Sequence, residues 1–123
     1  MLSRPIELTE YYKWYVGFHP KPRPFMVFEP DHVEATAGVE LEDFEVSASI
    51  SLLDGSIGGI EIDAWDLVDE GTTGSGNVSF TVDGADSVLV SVSDEAAAGI
   101  AVIRATGIHG GVVYTGDLKV IVQ

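Results

Sequence analysis

Cysteine is absent from the 123 residues, which excludes a disulfide scaffold, a thiol nucleophile and a cysteine-ligated zinc site. Long apolar runs are absent as well. Runs such as 111–114 span only a few residues, too few to cross a bilayer as a helix. The first ten residues lack the unbroken apolar stretch of a secretory signal. Bases are scarce, six Lys and Arg against 20 Asp and Glu for a formal net charge of -14, so the chain has no basic surface with which to grip nucleic acid. The expectation is a soluble chain made inside a cell, with neither nucleic acid nor membrane insertion among its partnerships. What it does have is 46% hydrophobic residues, enough for the core of one ordinary domain.

The scarce residue types are unevenly placed. Arg4, Lys13, Lys21 and Arg23 fall in the first 24 residues against only Glu7 and Glu10, a balance of about +2; the other 99 residues hold 18 acids and two bases, giving -16. All five prolines and seven of the eleven aromatics lie within residues 1–30. Composition therefore divides the chain into a basic, aromatic, proline-punctuated arm, 1–30, and an acidic body, 31–123.

The body has the period of β-strands. Phe44, Val46, Ala48, Ile50 and Leu52 alternate with Glu45, Ser47, Ser49 and Ser51, the pattern of a half-buried strand. The period returns at Ile60–Ala64, Val78–Val82, Val88–Val92, Ile100–Val102 and Leu118–Val122, and less strongly at Val33–Ala37 and Val112–Tyr114. Turn clusters separate these runs, at 54–56, 69–76, 83–86, 109–111 and 116–117. Seven or eight short strands at this spacing predict a two-sheet antiparallel sandwich, with a small barrel or jelly roll as the rival closure. Residues 94–99, with three alanines, leave room for a single helical turn.

The segments 76–82, 94–107 and 116–122 resemble the second half of a bacterial immunoglobulin-like module, of the kind also found on tailed-virus capsids and tails. The likeness covers residues 32–123 and is one of pattern, without the Cys and Trp signature of antibody domains; Trp65 lies in the third candidate strand, with no disulfide for it to cover. The resemblance implies an immunoglobulin-like antiparallel β-sandwich that binds or spaces.

The arm reads as an attachment device. A wheel over residues 5–16 puts Leu8, Tyr11, Tyr12 and Tyr15 on one arc, with Pro5 suited to a first helical position and Gly17 to the residue past the end, so a short helix with an aromatic face is predicted. Trp14 and Ile6 are left on its polar side. Residues 19–24 alternate proline with bases, favouring an extended polyproline II tether. Tyr11, Tyr12, Trp14, Tyr15, Phe18, Lys21 and Arg23 are the expected partner contacts, because aromatics and arginine dominate interface cores. The alternatives are that the arm folds back on its own sandwich, or that 20–24 is read by an SH3-type domain.

Catalytic constellations do not emerge. His19, His32 and His109 are far apart and lack metal-ligand spacing. The glycine-rich run 71–76 has no following Lys and opens no helix, so it reads as a flexible loop and not a phosphate cradle. No Gly-x-Ser-x-Gly elbow occurs. Asn77 and Ser79 complete a glycosylation sequon that an unexported chain leaves unused. Asp63, Asp66, Asp69 and Glu70 are the calcium candidates, since a hard cation takes several carboxylate oxygens, although their spacing does not match the Asp-x-Asp-x-Asp-Gly loop. No other cofactor is expected.

The acidity itself suggests a halophilic protein, because self-repulsion on this scale eases as salt shortens the screening length; an ordinary acidic protein kept soluble by charge is the alternative. Immunoglobulin-like modules usually work outside cells, and this chain shows no export signal. A virus reconciles the two. The expectation is a non-enzymatic virion structural protein, assembled in the host cytoplasm and carried on the virion surface: a capsid decoration, turret or spike subunit, or equally a neck or tail protein. Its partners would be capsid or other virion subunits and further copies of itself. A cell-surface adhesion or carbohydrate-binding module is the rival.

Overall fold

The longest run of strict alternation becomes β3 (Leu41–Ser51), in which Val46, Ala48 and Ile50 are fully buried while Glu45, Ser47 and Ser49 face outward. The computed structural model describes residues 24–123. Among them are eight further strands and no helix: β1 (Phe25–Glu29), β2 (His32–Ala35), β4 (Ile57–Gly58), β5 (Glu61–Asp69), β6 (Val78–Val82), β7 (Ser87–Val92), β8 (Gly99–His109) and β9 (Val112–Val122). The helix and polyproline segment expected in the arm lie outside the described residues.

Two sheets result. The first has the order β1-β3-β7-β6, with the short β4 added beside β3; the second has the order β2-β9-β8-β5. Every pairing is antiparallel except that of β2 with β9. The inward rows of the two sheets meet in one core: Val46, Ile50, Val88 and Val90 from the first and Val33, Ile103, Leu118 and Val120 from the second are all 0% exposed. Each such side chain stabilises the fold by about 1.5–3 kcal/mol through its removal from water. The body is thus an all-β structure of two facing sheets, as the alternation predicts.

Four local expectations change. First, the body starts before residue 31. Composition places residues 25–29 with the arm, but all five pair with β3, from Phe25 opposite Ser51 to Glu29 opposite Ser47. The reason is burial: Met26 is in the core and Phe28 packs against it, 6.1 Å from Trp65 between ring centroids. Pro24 and Pro30 bracket this strand without interrupting it.

Second, residues 116–117 are the middle of β9 and make no turn. Gly116 is there because β1 approaches it: a Cβ at that position would lie 2.9 Å from the Met26 sulfur. Asp117 sits directly opposite Arg104 of β8 and pairs with it.

Third, residues 94–99 make a hydrogen-bonded turn and no helical one. The Ser93 hydroxyl accepts the Glu95 amide at 3.0 Å, and the Ser93 carbonyl accepts Ala96 N–H at 3.1 Å. Fourth, the glycine-rich run 71–76 is tied down. Thr73 is fully buried and donates its hydroxyl to the Glu70 carbonyl at 2.6 Å; its own carbonyl accepts Ala97 N–H at 3.1 Å and the Asn77 side-chain amide at 2.9 Å. Gly71 has φ +55°, and a Cβ there would run into the Ile100 carbonyl. The sequon amide of Asn77 thereby serves as internal bracing.

The two-residue turn at Gly110 and Gly111, with φ of 58° and 78°, joins β8 to β9 in the type I′ geometry that suits the twist of a hairpin.

Candidate attachment surface

The expected contacts Tyr11, Tyr12, Trp14, Tyr15, Phe18, Lys21 and Arg23 lie outside the described residues, so the surface is built from the body to which they are joined. The two ends of the sandwich differ in chemistry. One end carries the loops 36–40, 70–77 and 93–98, the start of β3 and the end of β9, which is clipped there by Ala37 N–H to the Gln123 carbonyl at 2.8 Å. Glu40, Glu42, Asp43, Glu70, Asp94 and Glu95 all come from that end, whereas the body's two bases, Arg104 and Lys119, sit within β8 and β9.

The other end, where β1 begins, carries acids too, Asp54, Glu61, Asp63, Asp83 and Asp86, but it also exposes a set of large apolar side chains. Phe25, the first residue of β1, pairs with Ser51, and Ile57 of β4 pairs with the same Ser51 from its other side. Residues directly opposite in antiparallel pairs share a face, so Phe25 and Ile57 flank Ser51 on the outer face of the first sheet, at 60% and 62% exposure. Leu53, 67% exposed, belongs to the turn just beyond.

That turn is held rigidly: Leu52 N–H donates to the Ser56 carbonyl at 2.8 Å, Gly55 N–H to the Leu52 carbonyl at 2.9 Å, and Asp54 accepts both the amide and the hydroxyl of Ser56. Hydrogen bonds from Ser56 hold the Asp54 carboxyl below its ordinary pKa. Asp54 is the one acid within this turn. Sequence reasoning missed Leu53 and Ile57. Their signal was faint, since two isolated apolar residues beside turn formers read as loop, and Phe25 was counted with the arm.

The four calcium candidates are distributed along an edge. β5 is the last strand of the second sheet, and its register shifts twice, between Ile62 and Ala64 and between Leu67 and Asp69. Asp63 falls in the first irregularity. Asp66 lies opposite Arg104, Asp69 accepts Gly71 N–H at 2.9 Å, and Glu70 accepts Gly76 N–H at 2.8 Å. Among the described residues no three His, Asp or Glu side chains are gathered as a metal would need. Exposed carboxylates and bulges on an edge strand discourage pairing with a foreign strand, and that is what this placement does.

Two charge clusters lie on the second sheet. Arg104 grips Asp117 with both arms of its guanidinium, Nε to Oδ1 at 2.8 Å and a terminal nitrogen to Oδ2 at 3.2 Å. Its hydrogen bonds hold the Asp117 carboxyl below, and the Arg104 pKa above, their ordinary values. His32 is bracketed by Glu34 on Nε2 at 2.8 Å and Asp31 on Nδ1 at 2.7 Å. The bond to Glu34, then that to Asp31, raises the His32 pKa above the ordinary value.

Because the folded value is the higher one, the stabilisation from protonated His32 is complete below the unfolded pKa, about 6.5, and is lost as pH rises through the folded value. His32→Gln is therefore expected to lower stability in mildly acidic buffer and to do little in mildly alkaline buffer. Denaturant unfolding of both chains at the two pH values checks this, and an equal loss at both would reject it. The overall charge predicts a second trend. Salt shortens the screening length from about 10 Å at 0.1 M to about 3 Å at 1 M, so the melting temperature is expected to climb across that range, and calorimetry showing a flat profile would reject the halophilic reading.

No family model matches the chain, and no curated protein matches it.

Proposed function

We propose that this protein is a non-enzymatic structural module, an immunoglobulin-like sandwich attached to a larger assembly through residues 1–23 and the end of the body they join. The assembly we assign is a virion, with the module as a capsid decoration, turret or spike subunit, or as part of the neck or tail. The observation that carries the reading is the strand order. Lettering β1, β3, β7 and β6 as A, B, E and D, and β5, β8 and β9 as C, F and G, reproduces the ABED and CFG sheets of a constant-type immunoglobulin fold, with β2 as an extra parallel strand beside G. Trp65 then occupies strand C and is buried, packing on Phe28 of strand A, whereas the disulfide that the strand-C Trp covers in antibody domains joins strands B and F.

Such folds bind or space far more often than they catalyse, and polarity suits display. The segment bearing five of the eleven aromatics joins the body at the end that exposes Phe25, Leu53 and Ile57, leaving the loops 36–40, 70–77 and 93–98 to face solvent at the other. The test is gradient sedimentation of particles from producing cells, with the chain traced by antibody. Full-length chain is expected in the particle fractions and visible on them by electron microscopy, and a chain lacking residues 1–23 in the slow-sedimenting fractions. A full-length chain found only among soluble proteins would overturn the reading, and one found on the outer cell surface would favour the adhesion alternative.

A further inference from the structure

The end where β1 begins has the composition of a receptor as well as an anchor. We infer that the patch formed by Phe25, Leu53 and Ile57 is the docking site for the aromatic segment 11–18 of a second copy of this chain, so that two copies exchange arms reciprocally. This rests on the attachment reading and deepens it by naming the first partner.

Three observations carry it. The first is position: Phe25 is both the entry of the arm and a member of the patch, flanking Ser51 opposite Ile57. A two-fold axis near that patch sets each arm beside the other copy's patch with the same set of contacts on both sides.

The second is charge. Loop 83–86 and the start of β5 bring Asp83, Asp86, Glu61 and Asp63 to the end that also holds Asp54, so a net -16 over residues 25–123 presents there a set of acids that attracts a basic segment. Lys13, Lys21 and Arg23 bring opposite charge to the junction.

The third is reach. Pro20, Pro22 and Pro24 alternate, which favours extended backbone rising about 3.1 Å per residue. As a sequence expectation, five such residues span roughly 15 Å between the aromatic run and Phe25, which begins β1 at the end of its sheet. A stiff lead of that length favours a neighbour's patch over the chain's own.

The experiment is sedimentation velocity on the full-length chain over a wide concentration range. Wild type is expected at the dimer mass. L53D/I57D, altered at two exposed sites, and Y11S/Y15S, altered in the arm, are each expected at half that mass; circular dichroism verifies the fold of the first, with Leu53→Ser as the milder substitute should it unfold. Mixing the two variants is expected to restore a one-to-one complex, because one supplies an intact arm and the other an intact patch. A monomeric wild type, a dimer that survives either variant, or a mixture that stays monomeric overturns the inference, the last two pointing to another interface and to self-docking respectively. A chain that is monomeric yet still joins particles through residues 1–23 fails this inference alone. A dimer that never joins them fails only the attachment reading.

Discussion

Deleting residues 1–23 is expected to leave a folded body with an almost unchanged melting temperature, whereas deleting residues 1–30 removes about 3 kcal/mol of stability or more. The difference is β1. All five of its residues pair with β3; Met26 lies in the core, and Phe28 packs against it and against Trp65. Burial of one such side chain is worth about 1.5–3 kcal/mol, and removing the strand also exposes the backbone edge of β3.

β1 does one thing more. It sits at the seam between the sheets, with Met26 against Gly116 of β9, and the chain steps from it directly into β2 of the opposite sheet. Its loss opens that side of the sandwich. Against a total stability of about 5–15 kcal/mol for a typical domain, the longer deletion is expected to be largely unfolded at physiological temperature. Urea unfolding of the two truncated chains measures the gap, and equal midpoints would show that the body begins after Pro30.

Trp65→Ala is expected to cost about 3–5 kcal/mol, the usual range for emptying a large aromatic site in a core. Trp65 is 7% exposed, packs at a 45° tilt on Phe28, and anchors the otherwise exposed edge strand β5 to the interior. Its indole N–H is buried with no acceptor among the described residues. A buried donor left unpaired carries a penalty of about 1–3 kcal/mol, so Trp65→Phe, which deletes that donor and keeps an aromatic ring, is expected to cost far less than Trp65→Ala. Chemical denaturation of the three proteins gives the comparison. Equal losses for the alanine and phenylalanine variants would reject this account of the site.

The sequence alone determined the class of structure and most of its elements. Strand alternation depends on nothing but the pleat: a chain with Val46, Ala48 and Ile50 on one side and serines on the other has only one arrangement that removes the apolar row from water. Each periodic run from Phe44 onward therefore falls largely within a strand, although β5 and β8 extend well past theirs, 112–114 and 118–122 merge into β9, and β4 was not legible; the exclusion of cysteine chemistry needs no coordinates. What the tertiary structure decided is which residues near the two prolines belong to the sheet. Phe25 and Phe28 look like the aromatics of the arm until β3 offers them a partner, and composition carries no information about pairing partners distant in the chain.

The same holds for Gly116, which reads as a turn until Met26 is seen lying against it, and for residues 71–76, whose glycines suggest looseness until Thr73 is found buried. The apolar patch was likewise illegible, because Phe25, Leu53 and Ile57 are isolated in sequence and become one surface only when β1 and β4 are laid on either side of Ser51. Periodicity is a local property and survives in one dimension; adjacency across strands exists only once the sheets have formed.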